Sequence, residues 1–260
     1  MSFTVDKWYL DLVTDDGTAL VAYAVDVRWH GVAMRLASRL IVDADGRRDE
    51  HSTRQEAAWP ALADGRLSWA SEALGIDGVW LALVPPVART LVASPAGVID
   101  WTCDMPRARA SVTTRAARYD GLGYAEHLHL TLPPWALPFS TLRWGRHVSD
   151  RHAVVWIERD GADCLRDIWI DGEPAPHARV VADGVCDLPG GRELRWQPHR
   201  DLVRRSVGDA LARVAPTLAQ TLGGRLTTMR EHKQLSRSAL VDATGVALDD
   251  GWAIHEVVTW

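Results

Sequence analysis

The chain has 260 residues, a net charge of −5, and 47% hydrophobic against 24% charged residues, a balance that supports one or two folded cores and excludes long disordered tracts. Acidic and basic residues are interspersed, which excludes the concentrated basic surface of a nucleic-acid binder. No apolar run approaches the roughly 20 residues of a membrane-spanning helix.

The first ten residues carry Asp6 and Lys7 and no apolar core, so no export signal is expected and the protein reads as cytoplasmic. From Leu20 the pattern has period two. Val21, Tyr23, Val25, Val27 and Trp29 share one face, and Leu20, Ala22, Ala24, Asp26 and Arg28 share the other. Val32, Met34, Leu36, Leu40 and Val42 repeat the alternation against Arg35, Arg39 and Asp43. Such alternation marks half-buried strands. Asp-Gly occurs nine times, at Asp16, Asp45, Asp64, Asp77, Asp120, Asp160, Asp171, Asp183 and Asp250. It is a strong hairpin-turn signal, because glycine accepts positive φ. Read as turns, these dipeptides divide the chain into an antiparallel meander.

A division near Arg115–Gly121 gives an N-terminal lobe over residues 1–117 and a C-terminal lobe over 118–260. Ala153–Ile170 reads as a further hairpin around Arg159–Asp163. One segment departs from period two. Val203, Val207, Ala210, Leu211, Val214 and Leu218 recur at helical spacing. Asp201 is a candidate N-cap, and Pro216 should end or kink the helix. The expected fold is all-β, with two antiparallel barrel or sandwich lobes and one amphipathic helix between about Asp201 and Leu222.

Cys103, Cys164 and Cys186 are too few and too far apart for a disulfide scaffold or zinc finger, and read as small core residues. Thirteen tryptophans against two phenylalanines either line a cavity for an apolar ligand or pack between sheets.

The densest segment is Gly121–Arg146. As a strand, it sets Tyr124, Glu126, Leu128 and Leu130 on one face and Ala125, His127 and His129 on the other. A carboxyl two residues from a phenol on an apolar face can act as a proton donor, since burial favours its neutral form. The alternative is a buried glutamate paired to Arg143 or Arg146. His127 and His129 have the spacing of two metal ligands, but no third ligand is placed near them, so no metal is expected. There is no G-x-S-x-G elbow and no P-loop, and Gly121-Leu122-Gly123 lacks the third glycine of a dinucleotide site, so no organic cofactor is expected.

Gly121-x-Gly123-Tyr124-x-Glu126, then Pro134-Trp135, then Leu142–Arg146, resembles the carotenoid 1,2-hydratase (hydroxyneurosporene synthase) and AttH-like lipocalin superfamily. Trp101-Thr102-Cys103 with Pro106, and the tail from Glu231 and Lys233 to Trp252–Glu256, are similar to strands of the same family. This chain has Glu126 where the family usually has aspartate, Ala125 where it tends to carry histidine, and Ile99 at a further histidine position. The resemblance implies two lipocalin-like lobes around an apolar site. It also implies a cofactor-independent hydratase, isomerase or cyclase of a bulky polyene, terpenoid or polyketide-like substrate. Glu126 would be the general acid, Tyr124 its partner, and Trp101, Trp135, Trp144, Arg146 and His255 the substrate-binding residues. A non-catalytic carrier for the same kind of molecule is the alternative, and a purely structural protein with a Trp-filled interior is the third.

Overall fold

The computed structural model describes residues 3–54, 58–182, 184–206, 208–209 and 228–260. The chain divides into two compact units, Met1–Ala136 and Leu137–Trp260. The first holds β1 (Phe3–Val13), β2 (Ala19–Trp29), β3 (Val32–Val42), β4 (Arg48–Thr53), β5 (Ala61–Ala63), β6 (Arg66–Ser71), β7 (Ile76–Ala82), β8 (Val87–Ser94), β9 (Gly97–Thr114) and β10 (Arg118–Leu130). They form one sheet in the order β4-β3-β2-β1-β10-β9-β7-β6-β5, with β8 also paired to β9.

The second unit holds β11 (Thr141–Ser149), β12 (Ala153–Arg159), β13 (Leu165–Ile170), β14 (Glu173–Pro174), β15 (Arg179–Ala182), β16 (Val185–Leu188), β17 (Arg192–Ser206), β18 (Arg230–Val241) and β19 (Ala247–Thr259). Their order is β14-β13-β12-β11-β19-β18-β17-β16-β15. In both sheets the first strand of the unit pairs with the last, and the hairpins fan out on either side. Both sheets are curled and antiparallel, so the all-β, two-lobed expectation holds.

The division falls later than the sequence suggests, after Ala136 and not after Ala117. The reason is register. Residues 118–130 are β10, hydrogen-bonded to β1 on one side and β9 on the other, so they close the first sheet and cannot start the second.

The Asp-Gly signal is right at some positions and wrong at others. Asp64-Gly65 and Asp171-Gly172 have positive φ at both residues and make tight hairpins. Asp77-Gly78, Asp120-Gly121 and Asp250-Gly251 instead lie inside β7, β10 and β19. There the glycine is needed for close approach. A Cβ on Gly121 would sit 2.2 Å from the Val13 carbonyl oxygen, and one on Gly251 would sit 2.2 Å from that of Val148. Asp183 lies outside the described residues.

The helix expected from Asp201 does not begin there. Asp201–Ser206 continues β17 and pairs with β18. The remainder of that segment, residues 207 and 210–227, lies outside the described residues.

Each sheet has an apolar cluster on one face. In the first it includes Trp8, Leu10 and Leu12 of β1, Leu20 and Ala22 of β2, Trp69, Trp80, Met105, Ala108 and Ala125. In the second it includes Val154, Trp156, Ile168, Leu194, Trp196 and Ala253. Several tryptophans therefore serve as packing, and Trp80 also satisfies its indole N–H on the Asp11 carbonyl at 2.8 Å.

Candidate active site

Alternation along β1 and β10 sends Tyr9, Asp11, Tyr124 and Glu126 to the face opposite the first apolar cluster, because Leu10, Leu12 and Ala125 belong to that cluster. Across the pair, Tyr9 is opposite Glu126 and Asp11 is opposite Tyr124.

The other wall comes from β9 and depends on two irregularities. Ala108 pairs with Gly123, but Met105 pairs with Ala125 and Cys103 with Glu126. β9 thus advances five residues while β10 advances three, a pair of bulges. Pro106 lies within the first of them, where the lost N–H is tolerated. The bulges shift the register by two. Cys103, not Met105, lies opposite Glu126, and Trp101 falls within reach of it.

Two neutral donors converge on one carboxyl oxygen. The Tyr124 hydroxyl donates to Glu126 Oε2 at 2.7 Å, and Trp101 Nε1–H donates to the same atom at 2.6 Å. Tyr124, Trp101 and Cys103 are buried. Burial pushes the Tyr124 phenol well above its ordinary range, with the neighbouring Cys103 and Glu126 acting in the same direction. The phenol therefore keeps its proton and remains a donor. Burial likewise pushes the Cys103 thiol well up. Cys103 lies beside the Tyr124 hydroxyl and interacts with it. Tyr9 stands edge-on to Tyr124, ring centroids 6.0 Å apart, and its hydroxyl donates to the buried Asp11 at 2.9 Å.

Of the residues expected from sequence, Tyr124, Glu126 and Trp101 thus meet directly. Trp135 does not join them. It lies on a short 3-10 turn, Pro134–Ala136, is 49% exposed, and packs against Trp29 and Phe3. Trp144, Arg146 and His255 belong to the second sheet. Trp144 carries the Lys233 ammonium 5.4 Å from its ring centroid. The buried Arg146 donates to the Trp252 carbonyl at 3.2 Å. His255 is on the apolar-cluster side, 2.8 Å from Ser236 Oγ and beside the Trp196 ring. Arg143 lies opposite Glu158 across β12.

Sequence reasoning missed Tyr9, Asp11 and Cys103. A signal for the first two was present: Trp8-Tyr9-Leu10-Asp11-Leu12 puts a phenol and a carboxylate on one side of a strand whose other side there is apolar. His127 and His129 both turn to Asp6, with His129 Nδ1 at 2.7 Å and His127 Nε2 at 3.7 Å from its Oδ1, and His127 stacks on Trp8. Among the described residues no group of three or more His, Cys, Asp or Glu is arranged to hold a metal ion, and no helix is long and apolar enough to cross a membrane.

No protein-family model matches the chain, and no curated protein matches it in sequence. Solved structures do match in three dimensions. A protein from Nitrosomonas europaea provisionally assigned as AttH superposes with a TM-score of 0.59 at 13% identity, over 99% of this chain and 92% of that one. Kievitone hydratase from Nectria haematococca gives 0.56 at 10% identity, over 98% of this chain and 88% of that one. CghA, in a structure with Sch210972, gives 0.57 at 11% identity, over 99% of this chain and 88% of that one. At such identities the likeness is one of fold, and the chain has the lipocalin-like architecture that it shares with these proteins.

Proposed function

We propose that the protein is an enzyme that adds a proton to a bulky apolar substrate through Glu126, so that hydration, isomerisation or cyclisation follows. The observation that carries this reading is the convergence of Tyr124 and Trp101 on Glu126 Oε2. With both donors on Oε2, a proton held by the carboxyl sits on Oε1, and the fixed donors hold that oxygen in one orientation. The carboxyl gives this proton to a carbon of a carbon–carbon double bond. Electron-rich indole and phenol rings nearby favour the cation that forms. Water then adds and returns a proton to the carboxylate, or a neighbouring carbon loses one to it, or a second double bond closes a ring and the cation that results loses a proton to the carboxylate or takes up water. Each outcome balances with proton transfer alone. That one fold neighbour is a hydratase and another was solved with Sch210972 supports a site of this kind. The substrate classes we favour are polyenes, terpenoids and polyketide-like molecules.

The test is turnover of a panel of such substrates, followed by product mass, with binding measured separately by tryptophan quenching. Glu126→Gln should lower turnover by about 100-fold or more, as loss of a general acid does, with binding changed less than about twofold. Tyr124→Phe should lower it less. Full turnover in Glu126→Gln would move the acid elsewhere, with Asp11 the next candidate. Binding without turnover by the parent across the panel would make the protein a carrier.

A further inference from the structure

The bulged part of β9 leaves polar atoms buried with nothing to bond. Nε and Nη1 of Arg107 are buried without a hydrogen-bond partner among the described residues, and so is Oδ2 of Asp104. Buried polar atoms are almost always satisfied, so two such residues three positions apart call for an explanation. The backbone here is fixed. The Arg107 carbonyl accepts from Leu83 N at 2.9 Å, and Ala108 resumes the regular ladder opposite Gly123.

Register places this segment at the candidate site. Ala108 and Met105 belong to the apolar cluster and pair with Gly123 and Ala125. Pro106 and Arg107 are therefore the two residues set against the single residue Tyr124, on the face that Tyr124 occupies. Asp104 is the extra residue between Met105 and Cys103, next to Glu126, whose charge raises its pKa. Bulges recur beside active sites because they re-aim side chains.

We propose that Arg107 anchors the substrate in the site of Tyr124 and Glu126, by donating to an acceptor oxygen, carbonyl or carboxylate, carried by an otherwise apolar molecule. This deepens the reading of that site as a substrate site and rests on it. A guanidinium has donors only, so its partner must accept. Its planar fork suits an sp² oxygen pair or a single carbonyl. A pure hydrocarbon would leave Nε and Nη1 as they are, whereas a molecule with such an oxygen at one end would satisfy them and fix which of its carbons meets Glu126.

The experiment uses the full chain and three probes of equal chain length: laurate, methyl laurate and dodecane. Each is titrated by quenching of tryptophan fluorescence. The parent should bind laurate and methyl laurate at least about tenfold more tightly than dodecane, the scale of one charge-assisted hydrogen bond. Arg107→Met should remove that preference and leave dodecane within about twofold. Arg107→Lys should restore part of the preference for laurate. The gap between laurate and methyl laurate tells whether the oxygen is ionised. Equal binding of dodecane and laurate by the parent overturns the proposal whether or not any variant folds. So does a preference that survives in Arg107→Met, which would leave water as the partner of Arg107. Absence of binding by all three probes removes both this proposal and the reading on which it rests. Discrimination by the parent together with full turnover in Glu126→Gln would uphold the anchor and remove the acid.

Discussion

The two sheets have the same strand order, apart from β8 added beside β9 in the first, and put different chemistry on the face away from their apolar clusters. In the first, Glu126 on β10 is held by the neutral donors Tyr124 and Trp101. In the second, Glu256 on the corresponding strand β19 is held by an ion. Lys233 Nζ lies 2.7 Å from Glu256 and 3.9 Å from Glu231, and Glu231 also pairs with Arg205 at 3.3 Å. The lysine side chain is 1% exposed and sits over Trp144. A carboxylate matched to a buried lysine is committed to its charge, because losing it strands the partner. A carboxyl matched to uncharged O–H and N–H donors can take or give a proton without stranding an ion. The same scaffold therefore carries a carboxyl that accepts from neutral donors on one sheet and a buried ion network on the other.

The largest effect that could break this contrast is on stability. Lys233→Met removes one partner of a buried pair and should cost about 3–5 kcal/mol, read as a lower urea midpoint at constant slope. Glu126→Gln keeps an acceptor for Tyr124 and Trp101, and should cost no more than about 1–2 kcal/mol. Similar losses in the two variants would show that Glu126 is also a structural ion, and the contrast would fail.

A second, smaller effect concerns acid. His147 on β11 is fully buried, with Nδ1 2.7 Å from Ser238 Oγ and Nε2 without a partner among the described residues. Burial lowers its pKa from 6.5 to about 4. The unfolded chain then takes up the proton first as pH falls. The stability this histidine confers is full above pH 6.5 and is lost between 6.5 and about 4. At about 1.4 kcal/mol per pH unit the loss approaches about 3 kcal/mol. His147→Gln should flatten the stability profile over that window. Parallel profiles for parent and variant would mean that the histidine is protonated in the fold.

How much of this was legible follows from what local pattern can encode. The β2–β3 hairpin was legible because the alternation in both segments marks strands, and the structure pairs Ala19–Trp29 with Val32–Val42 without a break in register. Tyr124 and Glu126 were found because i, i+2 spacing on a strand is local. Trp101 was named through its resemblance to a family strand, and its bond to Glu126 needs a two-residue register shift that no alternation shows. Arg107 is a candidate for the same reason and was invisible, and Cys103 was read only as a core residue of that family strand. Lys233 stood in the sequence as one more polar residue, since its burial depends on β17 and β19 closing around it. The lobe boundary was misplaced because Asp120-Gly121 looks like a turn, and only the Val13 carbonyl pressed against Gly121 shows why a glycine is needed in mid-strand.

The smallest effect sharpens the contrast from the other side. Asp104 in the β9 bulge has its pKa raised from 3.8 to about 6, first by burial and then by the charge of Glu126. Its sign is opposite to that of His147. The folded state holds the proton more tightly, so the stability that Asp104 contributes is full below pH 3.8 and is lost as pH rises through about 6. Because Asp104 is only partly buried, the change should be about 1–2 kcal/mol, less than the full shift implies. Asp104→Asn should therefore gain stability relative to the parent between about pH 4 and 6 and hold that gain above it. In Glu126→Gln the second cause disappears, so the loss should still begin near pH 3.8 but end at lower pH and be smaller. A shorter window in Glu126→Gln than in the parent would place the bulge and the acid in one site. If the Asp104 window is the same with and without the Glu126 charge, then the bulge faces elsewhere.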